Sequence, residues 1–211
     1  EFKEIGKDPQ NLTLEEKDLS DIKKVSDNKS RLYAFYIGTK KRGTFYVNTS
    51  LYKSLNKYEL KTLTLHETIP GHHLQLMLHN RSKDLPLYIK SSHNTGYIEG
   101  WGLYCENFTD LHSDKELVWK YIYELQRAVR LVIDTGIHAF NWTFQECFDY
   151  MKKYLLYDDK LITSEIIRYI CIPSQALSYK VGELTILFLR DKYLEKYPDD
   201  LKGFHKLFFD I

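Results

Sequence analysis

Hydrophobic and polar positions along the chain change their spacing near residue 50. Residues 1–30 are polar and lysine-rich with weak periodicity. Within them "TLEEKDLSDIKKV" predicts a short amphipathic helix with Thr13 near its N-cap. Next, "RLYAFYIG" and "GTFYVNT" are aromatic and β-branched on either side of "TKKRG", the pattern of two strands joined by a turn. From Ser50 onward the apolar residues recur at helical spacing. Ser50 or Asn56 is placed to cap a helix through "YELKTLTLHETI", Pro70-Gly71 interrupts it, and "HHLQLMLHNRS" resumes the spacing. Pro86, Asn94 and Gly96 put a loop into residues 84–97. Helices are then expected over "YIEGWGLYCENFTDL", the long "DKELVWKYIYELQRAVRLVIDTGIHAF", "TFQECFDYMKKYLL", "TSEIIRYICI" and "SQALSYKVGELTILFLRDKYLEKY". The third and fourth of these open on a threonine cap, and Pro173 and Pro198 act as stops. The expected fold class is mainly α, a helical bundle with a small β-hairpin before the first motif helix. Residues 1–30 read as a polar N-terminal segment and 31–211 as one helical domain.

Composition narrows the choice of function. The 211 residues are enough for a sizeable core, and 43% apolar with 28% charged is ordinary for a globular chain. A formal net charge of +1 gives no footprint for nucleic acid, and no apolar run approaches the ~20 residues of a membrane span. Cys105, Cys147 and Cys171 are few and scattered, so they read as small buried hydrophobes and not as a disulfide or metal framework. The sequons at Asn11, Asn28, Asn48, Asn107 and Asn141 matter only in a glycosylating cell, and neither cytoplasm nor export is singled out. A start at Glu1, without methionine or leader, reads as a piece of a longer protein. The remaining N-terminal region is then an expected partner.

One segment carries chemistry. "HETIPGHHLQ" begins like a zinc-peptidase helix, but the next histidines fall six and seven residues after His66. On an unbroken helix six residues rotate about 240° and put His72 on the wrong face. Seven restore the face but separate the two Cα atoms by ~10 Å along the axis. Pro70-Gly71 relieves this, because proline breaks the ladder and glycine allows unusual backbone angles. A loop of two residues puts His72 in the ligand position and turns His73 aside to substrate or to support, whereas a loop of three selects His73. His72 is the preferred ligand. The third ligand is sought in "YIEGWGLYCE", where Glu99 and Glu106 share a helix face. Glu99 is preferred, because Gly100 and Gly102 beside it allow another helix to come close. Glu106 is left to hold a ligand histidine or to meet substrate. Glu67 follows His66 directly and is the expected general base toward metal-activated water.

These residues carry a resemblance. "HETIPGHHLQ" followed by "YIEGWGLYCE" resembles the family catalogued as domain of unknown function 885, which is mostly bacterial and similar to gluzincin-type zinc metallopeptidases. "RAVRLVIDTGIHAFNWTFQECFDYM" and "EIIRYICIPSQALSYKVGELTI" resemble its C-terminal blocks. The likeness runs from about Tyr33 to Arg190. It implies a helical metallopeptidase-like fold with a cleft, a Zn2+ ion, and hydrolysis of peptide or related amide bonds. It adds weight to His66, Glu67, His72 and Glu99, which match the motif letter for letter, and it implies that this chain is the C-terminal portion of a longer protein.

Hydrolysis also needs a group to meet the developing oxyanion. Tyr179 is the first candidate and His138 the second, with Asp134 one turn earlier placed to orient it. Arg168 and Tyr169 are candidates to clamp a substrate carboxylate. His79, His93 and His112 carry no assignment. The resulting expectation is a zinc metallopeptidase acting on short peptides. Two alternatives stay open: a non-catalytic helical module that binds metal or ligand, and a zinc hydrolase of non-peptide amides or esters. Retention of Glu67 speaks against the first alternative, since a site that only binds metal has no use for a base there.

Overall fold

The computed structural model describes residues 12–17, 34–38, 43–48, 58–82, 85–92, 94–108 and 113–210. The expected strands are present as β2 (Ala34–Gly38) and β3 (Gly43–Asn48), paired antiparallel from Ala34 opposite Val47 to Gly38 opposite Gly43. A further strand, β1 (Leu12–Lys17), runs parallel to β3, so the sheet order is β1-β3-β2. This corrects the helix expected from Thr13. Leu12 and Leu14 alternate with polar residues at the period of a strand, and the segment pairs with β3 from Leu12 opposite Gly43 to Lys17 opposite Asn48, whereas a short polar helix has little apolar face to pack and is marginal by itself. The rest of that expected helix lies outside the described residues.

The other described elements are helical, most of them where the apolar spacing predicts. They are α1 (Leu60–Glu67), α2 (His72–Arg81), α3 (Leu87–Ser91), α4 (Thr95–Cys105), α5 (Asp114–Phe140), α6 (Phe144–Tyr154), α7 (Asp159–Cys171), α8 (Gln175–Lys196) and α9 (Leu201–Asp210). The N-cap of α1 is Glu59, without a side-chain cap, and the cap candidates Ser50 and Asn56 lie outside the described residues. Two differences from the expected helices have local causes. Asp158 opens α7 by accepting the Leu161 N–H at 2.7 Å, so Thr163 falls inside the helix. The short α3 occupies part of the expected loop. Thr143 does cap α6, in a full capping box with Glu146. Cys105 and Cys147 are buried, whereas Cys171 is exposed.

The chain divides into two compact units. The first comprises residues 1–92, 105–110 and 190–211. In it α2 contacts α1, α9 and β2, with Leu74, Phe204 and His205 buried. The second comprises residues 93–104 and 111–189. Its core is Val129 and Ile133 of α5, Cys147 and Met151 of α6, and Ile162, Ile166 and Tyr169 of α7, closed by Leu155 and Ala176. Helix α4 is a single unbroken element whose body groups with the second unit and whose end, from Cys105, groups with the first. Among the described residues no helix is long and apolar enough to cross a membrane.

Candidate metal centre

The break between α1 and α2 sets the site. The Thr68 N–H still bonds the Thr64 carbonyl at 2.9 Å, as in a regular helix. Beyond it, the His73 and Leu74 N–H groups both reach back to the Thr68 carbonyl, at 3.1 and 3.4 Å. A bond from residue 74 to residue 68 spans two more residues than the four of an α-helix. The backbone has therefore looped out two residues around Pro70-Gly71, with the Ile69–Pro70 bond cis. Gly71 is required for space, since a Cβ there would run into the carbonyls of His66 and Leu65.

This loop brings His72 round to His66. Their rings meet edge to face with centroids 4.7 Å apart, and both residues are buried. Nδ1 of His66 lies 2.8 Å from Oε1 of Glu106, also buried, just past the end of α4. With Nδ1 held by a carboxylate, Nε2 is the nitrogen that can bind a cation, and the acceptor raises its basicity. Glu99 lies two turns earlier on the same helix. His66, His72 and Glu99 each offer a ligand atom, and these atoms all lie within 4.8 Å of one another. Two imidazoles and one carboxylate are a donor set that suits zinc and leaves a coordination position open, so the residues fit such an ion. His73 is buried beside them on α2.

Glu99 is itself supported from α8. The Gln175 side-chain amide donates to Glu99 Oε1 at 3.5 Å and to the Tyr179 hydroxyl oxygen at 3.1 Å. Burial raises the pKa of Tyr179, and the negative charge of Glu99 raises it further, so the phenol stays protonated. The helices can approach this closely because both carry glycine at the crossing: a Cβ on Gly100 would lie 2.5 Å from the Gly182 backbone, and one on Gly182 would strike the Gly96 carbonyl. The sequence had suggested Gly100 for this purpose, but not its partner.

The other candidate residues are placed differently. Asp134 does not orient His138. It accepts the N–H groups of Ser174, Ala176 and Leu177 at 3.1–3.3 Å and so caps the start of α8. His138 bonds the Tyr169 carbonyl through Nε2 at 3.0 Å, which ties α5 to α7. Tyr169 is buried, and its hydroxyl donates to Glu165 at 2.7 Å. Arg168 contacts Glu165 at 3.1 Å and Gln175 at 3.4 Å, and Arg130 joins the same Glu165 oxygen at 3.1 Å. Gln175, Arg130 and Glu165 were not singled out from the sequence. The available signal was the spacing of four that separates Gln175 from Tyr179 and Glu165 from Tyr169.

Residues 22–210 match the family described as "Bacterial protein of unknown function (DUF885)". A crystal structure described as "the putative lipoprotein from Colwellia psychrerythraea" superposes with a TM-score of 0.82 and 32% identity, covering 94% of this chain and 35% of that one. Another, of "a putative lipoprotein of unknown function from Shewanella oneidensis", gives 0.77 and 23% identity, covering 96% and 38%. The chain thus spans little more than a third of the length of these solved structures. No curated protein matches it. With nearly its whole length matched, the chain belongs to the bacterial family of unknown function DUF885.

Proposed function

We propose that this chain carries the hydrolytic centre of a zinc-dependent peptidase, with His66, His72 and Glu99 as metal ligands. The single observation that carries the reading is the edge-to-face meeting of His66 and His72 with a buried carboxylate on the far nitrogen of His66. Buried histidines that serve packing alone have no need of that combination, whereas metal-binding histidines use it routinely.

A zinc ion held there supplies Lewis acidity toward a carbonyl and acidifies water. The chain's own residues do the rest. Glu67, directly after His66 at the end of α1, takes up the proton of the attacking water on its carboxylate and passes it to the departing amine. Tyr179 accepts from Gln175, retains its own proton, and offers it to the oxyanion as charge develops. Glu106 holds the His66 ring in one orientation.

The test is metal content and hydrolysis of a peptide library by the chain and by Glu67→Gln. The expected result is about one zinc per chain in both, with turnover falling by roughly 10²–10⁴-fold in the variant. Absence of zinc binding after metal add-back, or turnover that survives Glu67→Gln, overturns the reading. Turnover confined to esters or non-peptide amides would retain the centre and change the substrate class.

A further inference from the structure

Arg168 and Arg130 converge on a single oxygen of Glu165, each at 3.1 Å. That carboxylate balances one of the two guanidinium charges and leaves one over. Arg130 is the more enclosed, with 12% of its side chain exposed, and is further engaged by the Tyr169 hydroxyl at 3.0 Å. Arg168 has 31% exposed, and its Nε is a buried donor with no hydrogen-bond partner among the described residues. Its guanidinium carries more N–H groups than Glu165 and Gln175 take up. Gln175 then links it onward, accepting from Arg168 at 3.4 Å and donating to Glu99 at 3.5 Å. Two hydrogen bonds and one amide put Arg168 within ~10 Å of Glu99, the reach of no more than about three extended residues at ~3.3–3.6 Å each. Glu99 is the other carboxylate linked through Gln175, and it is committed to the cation.

We infer that Arg168 receives the free C-terminal carboxylate of the substrate, so the centre acts on short peptides and removes residues from their C-terminal end. This rests on the zinc-peptidase reading and deepens it. Glu165 and Gln175 hold the guanidinium plane, which presents its remaining N–H groups as a fork to a planar carboxylate. Excess positive charge within this distance of the proposed ligand Glu99 sets the register of the peptide, placing a bond one to three residues from its end at the centre.

The test compares trialanine with trialanine C-terminal amide. For the zinc-loaded chain, kcat/KM should favour the free acid by roughly 10–100-fold, the range of a charge-assisted bidentate contact. The ratio should collapse toward one in Arg168→Met and recover in part in Arg168→Lys, which keeps charge but loses the fork. The same preference should appear as binding by calorimetry to zinc-loaded Glu67→Gln, where turnover is suppressed. Equal hydrolysis and equal binding of acid and amide overturn the inference while leaving the peptidase standing. Preferential, Arg168-dependent binding of the acid without hydrolysis keeps Arg168 as the carboxylate site and overturns the peptidase reading, and with it the cleavage. Equal binding without hydrolysis removes both.

Discussion

Glu106→Gln isolates the support given to His66. The substitution keeps the shape of the side chain and an oxygen able to accept from Nδ1, but removes the negative charge. In the structure that carboxylate is 2.8 Å from Nδ1, with only 4–5% of either side chain exposed. Hydrogen bonds to charged groups contribute about 1.5–3 kcal/mol, against about 0.5–1.5 kcal/mol for neutral ones. The difference, about 1–1.5 kcal/mol, is close to tenfold in zinc affinity. Loss of the right ring orientation extends the range to roughly 100-fold, as for other carboxylates that hold metal-binding histidines. Competition against a fluorescent zinc chelator measures the affinity, and thermal unfolding with and without zinc separates binding from folding. The metal-free Tm should change little, because a buried carboxylate is costly unless a cationic partner answers it. The Tm gain on adding zinc should shrink with the affinity. Unchanged zinc affinity in a folded Glu106→Gln chain would refute the assignment of His66 as a ligand through Nε2. A Tm loss equally large without zinc would show that Glu106 serves packing.

Three further outcomes are expected. Asp134→Ala, which strips three N–H groups at the start of α8 of their acceptor, should cost about 2–4 kcal/mol in chemical denaturation, and Asp134→Asn less, with zinc affinity little changed in the folded fraction. Gly182→Ala forces α8 away from α4 and should lower stability by about 1–3 kcal/mol, read as a Tm loss of several degrees for a chain of this size; an unchanged Tm would show that the crossing yields freely. Burial pushes the Glu165 carboxyl up, but the guanidiniums of Arg130 and Arg168 and the Tyr169 hydroxyl outweigh it and hold it below the ordinary value. Its contribution is therefore complete above the unfolded pKa, about 4.3, and is lost as pH falls through the lower folded value. Acid titration of Tm should fall more steeply for the wild-type chain than for Glu165→Gln below about pH 4.5, and parallel curves would contradict this.

Much of this arrangement was legible before any coordinates. The long α5 occupies the span that its apolar spacing predicts, and the Thr143–Glu146 box opens α6 where the threonine signal stands. Two failures share a cause. The polar stretch from Thr13 and the pair Asp134–His138 were both read from local spacing alone. The first is claimed by a strand partner some thirty residues away, and the second by a helix start forty residues on. A carboxylate that faces a histidine one turn along its own helix gains a few tenths of a kcal/mol, roughly. One that meets several otherwise unanswered backbone N–H groups gains more, so the cap prevails. Helix α9 lies beyond Pro198, the last stop signal, and has no counterpart among the expected elements.

By itself the sequence determined the order and type of most elements, the break at Pro70-Gly71, and the list of side chains able to bind a cation. Helical rotation and proline chemistry act within a few residues, and their consequences can be worked out from spacing. Only the tertiary structure decided which of two carboxylates turns to His66 and which stands with Gln175 and Tyr179. It also decided that Asp134 caps a helix, and that Arg168 is linked through one amide to Glu99. Those pairings join residues 40 to 76 positions apart or hang on such a link, and packing, not spacing, brings them together.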